Sequence, residues 1–185
     1  VKGVTNSEGG GASFSRSAVA LATSTGFYGR YAGTSHSVGV AVLAGEGVGM
    51  ERDYDHDSAR HAGDLRDAEE IGRKAGEKAV RRLNPRSMKS QSVPVVFDPD
   101  EAAGLLGHFA GAISGASIAR GVSFLKEKMG QAVFAPGIRV IDDPHRVRGL
   151  RSKPFDGEGV ANAQRALIED GKLTTWLLDC ASARQ

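Results

Sequence analysis

Apolar and polar positions alternate along "SVGVAVLAGEGVGMERDYD", where Val38, Val40 and Val42 occupy every second place. The pattern turns at Gly45-Glu46-Gly47 and resumes through Val48, Met50, Arg52 and Tyr54, its apolar character fading. Alternation on both sides of a short glycine turn marks an antiparallel hairpin. Upstream, "ASFSRSAVALATSTGFYGRYAG" has the same form around Ser24-Thr25-Gly26, so the start of the chain predicts an antiparallel meander. Gly9-Gly10-Gly11, ahead of it, reads as a flexible lead-in.

The period then changes. Asp67 is placed to cap a helix, with Glu70 three residues on to complete a capping box. Ile71, Ala75, Ala79 and Leu83 follow at four-residue steps, and Asn84-Pro85 ends the run. "SVPVVFD" predicts a short buried strand at 93–97. Asp98-Pro99-Asp100-Glu101 then opens a second helix with a cap, a first-turn proline and acids at the positive end of the dipole. Val133–Ile141 and Ala166–Leu178 predict strands, the latter a hairpin around Asp170-Gly171. Strands and helices are segregated rather than alternating, which favours an α+β fold of antiparallel β-sheets with a few packed helices. Three segments are expected: a meander over 1–62, a helical layer over 63–132, and strands with a hairpin over 133–185. They need not be independent domains.

The second helix is unusual. At 100° per residue, Ala102, Leu105, Leu106, Phe109, Ala110 and Ile113 form one stripe. Gly104, Gly107, His108, Gly111 and Gly115 lie on the opposite side. A helix-interior glycine costs about 1 kcal/mol against alanine, so several on one face predict a backbone or ligand approaching closely there. The plainer expectation for His108 is a hydrogen bond to a segment packed on that face. The alternative is a histidine lining a cleft. A helix-borne zinc site would want a second histidine one turn away. Positions 103, 104, 111 and 112 are Ala, Gly, Gly and Ala, so the helix cannot chelate a metal alone.

Composition narrows the class of function. The 185 residues carry a net charge of +2, too little to argue for nucleic acid, and a single cysteine, Cys180, which suits a reducing, cytoplasmic setting. No apolar run approaches a bilayer span and no leader is visible. Without an initiator Met, and ending at Ala183-Arg184-Gln185, the sequence reads as a piece of a larger, two-domain chain.

Other chemistry is weaker. Asp53-x-Asp55-x-Asp57 mimics the start of a calcium loop, but the sixth position is Ser58, not glycine, and the twelfth is Asp64. On an extended strand these aspartates share one face and repel unless solvated or paired with arginine. A wet strand end is expected. "DDPHRVRGLRSKPFDGEG" mixes both charge signs. It reads either as a solvated loop or as a segment lining an interface or peptide path, which makes His145, Arg148, Phe155, Asp156 and Glu158 cleft or interface candidates beside Gly104, Gly107, His108 and Gly111. With charge neutralised in place and no interleaved aromatics, direct nucleic-acid binding is not expected. Gly45-x-Gly47-x-Gly49 is a hairpin turn rather than a phosphate loop. Cys180 has no basic neighbour but Arg184, so a reactive thiol is not expected.

Five spaced stretches, "NSEG" (6–9), "GEGVGMERDYD" (45–55), "LLGHFAGAISG" (105–115), "PFDGEGV" (154–160) and "GKLTTWLLDCASAR" (171–184), resemble the TldD/PmbA family across nearly the whole sequence. Its members are described as modulators of DNA gyrase and as peptide-maturation proteases, in two branches that pair as a heterodimer. In the TldD branch a helix carries H-E-x-x-x-H after a Leu-Leu pair. Setting that pair on Leu105-Leu106 puts Gly107 and Ala112 at the two zinc histidines and His108 at the glutamate. The resemblance therefore implies the PmbA, or TldE, branch, with no catalytic or metal-binding residue of its own. The chain would belong to a metallopeptidase complex without being its catalytic subunit. Zinc is expected in the partner, and the third zinc ligand, a cysteine, is not carried over to Cys180. The implied partners are a TldD-like metal-bearing subunit, or a homodimer for the isolated chain, and an unfolded peptide. No membrane is implied. The alternative function is a non-enzymatic binding protein that modulates DNA gyrase.

Overall fold

The computed structural model describes residues 1–185 and divides into two compact units, Val1–Ser90 with Arg146–Ser152, and Gln91–His145 with Lys153–Gln185. The helical layer expected over 63–132 is shared between them. Antiparallel sheets and a few helices give the α+β fold that the patterning predicts.

In the first unit, β1 (Val4–Ala22), β2 (Tyr28–Ala44) and β3 (Glu51–Ala59) form an antiparallel sheet in that order. β3 pairs only with His36–Ala44 of β2, so the rest of the β1–β2 hairpin is a two-stranded ribbon. Gly9-Gly10-Gly11 is not a loose lead-in. It pairs with Ala41, Val40 and Gly39, and the glycines are accommodated by register irregularities between Val4 and Gly9.

Cross-strand partners share a face of a sheet. Val38, Val40 and Val42 stand opposite Asp57, Asp55 and Asp53, so an apolar column and an acidic column lie side by side. Helix α1 (Ala68–Arg82) covers both. Asp67 caps it, accepting from the amides of Glu69 (2.8 Å) and Glu70 (3.2 Å), a contact worth about 1 kcal/mol. Ala75 and Ala79 pack on Val42 and Ala44. Gly76 lets the start of the chain come close, since a Cβ there would lie 2.9 Å from Val1 and 3.1 Å from Val4.

The basic edge of α1 meets the acidic column. Asp55 is 4% exposed and lies 2.9 Å from Arg66, 3.5 Å from Lys78 and 3.9 Å from Lys74. Arg82 reaches Asp53 at 3.1 Å, and Asp57 accepts from the Arg66 amide at 2.8 Å. The expected wet strand end is therefore wrong at its centre: the carboxylates are paired, and helix cations supply the charge. Burial raises the pKa of Asp55, but the Arg66 hydrogen bond and the charges of Arg66, Lys74 and Lys78 outweigh it and hold the group below the usual carboxylate value.

In the second unit, α2 (Pro99–Ala112) and α3 (Gly115–Ala119) pack with a small sheet of β4 (Val140–Asp142), β5 (Arg165–Glu169) and β6 (Lys172–Leu173). Phe109, Ile113, Leu125, Leu167, Ile168 and Leu173 make the core. Asp170 (φ 48°) and Gly171 (φ 77°) form the predicted hairpin turn. Three expectations fail here. Residues 93–97 form no strand, Pro94 removing a donor, and Val93, Val95, Val96 and Phe97 are at least half exposed. The strand expected from Val133 shrinks to β4, because Pro136 and Gly137 (φ 83°) break it. The hairpin's second strand stops at Leu173, after which Leu177 bridges Ser114.

Replacing Asp55 by alanine leaves three cations facing a buried gap, and we expect a loss of about 3 kcal/mol in urea unfolding. Because the folded pKa of Asp55 is depressed, its contribution is complete above about pH 4 and is lost as pH falls through the folded value. The stability gap between wild type and Asp55→Asn should therefore close on acidification. A gap that stays constant from neutral to acidic pH would mean that packing, not charge, is the source.

Candidate functional site

Asp98 caps α2 through the Asp100 amide (3.0 Å), Pro99 occupies the first turn, and Asp100 and Glu101 sit at its positive end. The local signals fix where the helix starts but not how much of it is covered. Only its second half packs: Phe109 and Ile113 are buried, whereas Leu105 and Leu106, expected on the buried stripe, are 50% and 51% exposed.

Gly104, Gly107, His108 and Gly111 form an open strip, and no heavy atom lies within 4 Å of a Cβ built at any of the three glycines. The close approach expected there is not made by this chain. The hydrogen bond expected for His108 is not made either: the imidazole is exposed and has no polar partner. Gly115 is different. Its amide donates to Leu177 O at 2.6 Å, and an added Cβ would stand 2.7 Å from Cβ of Ser182 and 3.0 Å from Leu178.

That contact links the end of α2 to residues 177–184. The Leu177 amide donates to Ile113 O (2.9 Å), and the Cys180 amide donates to Glu158 Oε2 (2.9 Å). Glu158 thus joins the 154–160 loop to the same segment. Within that loop Asp156 accepts from the amides of Glu158 (2.9 Å) and Val160 (2.8 Å), and Phe155 is buried. Hydrogen bonding to Glu158, then burial, raises the Cys180 thiol above its usual pKa, which favours the protonated thiol over the nucleophilic thiolate.

The remaining candidates make other contacts. His145 is held by Asn162 (2.7 Å) and Asp143 (3.0 Å). Arg148, with φ 58°, belongs to the first unit and bonds Asp64 at 2.6 Å. Sequence reading missed Leu177 and Ser182 as anchors of the helix end. Small residues at both 115 and 182, in two of the quoted motifs, were the available signal.

The strip offers one imidazole, and no group of three or more His, Cys, Asp or Glu side chains is arranged to hold a metal ion. The donors present do not fit a resident hydrolytic zinc.

Alanine at Gly104, Gly107 or Gly111 meets nothing in this chain, so each should stabilise the protein by about 0.5–1 kcal/mol. Gly115→Ala should instead lower the melting temperature. Destabilisation by Gly107→Ala would show that the strip is covered within the protein itself.

The family model for the PmbA/TldA metallopeptidase central domain matches residues 2–83, and that for the C-terminal domain matches residues 90–185. The metalloprotease PmbA of Escherichia coli O157:H7 is 38% identical over 184 residues, 100% of this chain and 41% of its own length. The crystal structure of TldE from Thermococcus kodakarensis superposes with a TM-score of 0.79 at 26% identity, covering 95% of this chain and 40% of that one. A Bacteroides thetaiotaomicron protein, crystallised as a candidate modulator of DNA gyrase, gives a TM-score of 0.89 at 27% identity, covering 95% and 40%. The chain spans about two fifths of the length of these relatives. No helix is long and apolar enough to cross a membrane. Two domain models in register with nearly the whole sequence place the chain in the TldD/PmbA family of metallopeptidases.

Proposed function

We propose that this chain is the non-metal subunit of a TldD/TldE-type peptidase, a cytoplasmic complex that processes or degrades unfolded peptides. Membership of a metallopeptidase family supports the coarse reading, and the fold shared with TldE supports the branch. The observation that carries the rest is the bare strip of α2. By the family resemblance, Gly107, His108 and Ala112 would take the positions of a metal-bearing subunit's histidines and glutamate, and nothing in this chain covers Gly107. A helix that pays for glycines and leaves them open is suited to another chain or a peptide backbone passing close by. Zinc would then reside in the partner subunit. The sheet edges of β1 and β3 would help hold an extended peptide through main-chain hydrogen bonds, with little regard for sequence.

Co-expression with the metal-bearing paralogue tests this reading. The two proteins should copurify and together cleave an unfolded peptide, with activity lost to a chelator. His108→Ala should leave that cleavage within about fivefold, because the imidazole has no chemical role in the scheme. Failure to copurify, together with no cleavage, would refute the proposal. The second reading, a modulator of DNA gyrase, has the Bacteroides protein in its favour. Retention on a DNA column that weakens steeply with salt would support it.

A further inference from the structure

Beyond the α2 strip, the first unit contains an open cavity of about 590 Å³ over the β1–β2 ribbon. That is within the usual range for small-ligand sites, about 300–1,000 Å³. Arg16, Arg60, His61 and Arg148 line it, with Val19 and Tyr31 among the apolar walls, and no carboxylate residue lines it at all.

The cations are held in three different ways. Arg60 crosses the ribbon at Gly33, where a Cβ would lie 2.9 Å from its Nη1 and force it away. Its guanidinium donates to Thr34 O (3.1 Å), Gly149 O (3.3 Å) and Leu150 O. These acceptors fix the group but are neutral, so its charge is uncompensated. Arg16 forms no ion pair. Arg148 is held by Asp64 at 2.6 Å, in a left-handed backbone conformation (φ 58°).

We infer that this cavity is a carboxylate-binding site in the first unit, taking the terminal or side-chain carboxylate of a peptide. Arginine forks suit planar carboxylates, and the adjoining Val19 and Tyr31 walls suit the apolar part of the same residue. The choice of a peptide rests on the function proposed above. The site itself stands on the cavity and on the charges of Arg16 and Arg60, which no carboxylate meets, Arg148 being paired with Asp64.

Calorimetric titration of the full-length protein tests the inference without any need for cleavage. The probes are a short peptide of uncharged residues with a free C-terminal carboxylate, its C-terminal amide, and the amide carrying one internal aspartate. The free acid should bind about tenfold tighter than the amide. If the internal aspartate restores binding, the site accepts side-chain carboxylates. If it does not, the site is specific for chain termini, and either result upholds the assignment. Arg16→Gln should weaken the free acid about tenfold and leave the amide unchanged. Arg16→Lys should restore part of the loss, and Arg139→Gln, in the second unit, should have no effect.

Equal binding of acid and amide would overturn the proposal. So would indifference to Arg16→Gln, or inorganic phosphate binding as tightly as the peptide. Cleavage with the metal-bearing subunit is scored separately. An inactive complex whose free-acid preference persists refutes the peptidase reading and not this site. An active complex without that preference refutes only this site.

Discussion

The first unit depends on one electrostatic constraint: a buried carboxylate, Asp55, sits on a strand that needs cations and is covered by a helix that supplies them. Arg66 meets it at 2.9 Å, just ahead of α1, and Lys74 and Lys78 approach at 3.9 and 3.5 Å from one turn of α1 to the next. A buried charge without partners costs several kcal/mol, roughly what breaking such a pair costs, so α1 is fixed in both register and rotation. Its apolar stripe can then fall only on Val42 and Ala44. With α1 placed, β3 ends at Ala59, where the ribbon continues without it, and Arg60 is delivered across Gly33. The cavity on that ribbon follows from where the third strand stops.

The second unit is organised differently. Its core is apolar, and α2 joins it by the last turns alone, through Phe109 and Ile113. The helix end is pinned by Leu177, which exchanges hydrogen bonds with Ile113 and Gly115. The first turns and the glycine strip project free of that core. A rigid anchor at one end and a bare face at the other present backbone to whatever approaches, and the family resemblance puts the metal motif of the other branch at the same turns.

Much of the architecture was legible because its signals are local. The caps at Asp67 and Asp98, the Asp170-Gly171 turn and the hairpin turn at residues 24–26 each lie within a few residues of what they determine, whereas the strand expected to resume at Val48 does so only at Glu51, after a 3-10 turn over Gly47–Gly49. The failures share a cause as well. The acidic face of β3 looked wet because Arg66 lies 11 residues from Asp55 and Lys78 lies further still. Val93–Phe97 and the Leu105-Leu106 pair looked buried because apolar character was equated with a covering layer, and this chain provides none. The glycine strip was legible as a pattern, though its contact was not, since nothing in this chain touches it. Arg60 went unnoticed because its ligands are main-chain carbonyls 26 to 90 residues away, which leave no mark in side-chain chemistry.

Under the function proposed above, the chain would contribute shape and charge to a peptidase, and the hydrolytic metal would belong to another subunit. Elemental analysis of the purified full-length protein, alone and in complex with the metal-bearing subunit, measures this most directly. Zinc should be absent from the isolated protein and stoichiometric in the complex. Stoichiometric zinc in the isolated protein, lost on His108→Ala, would contradict it.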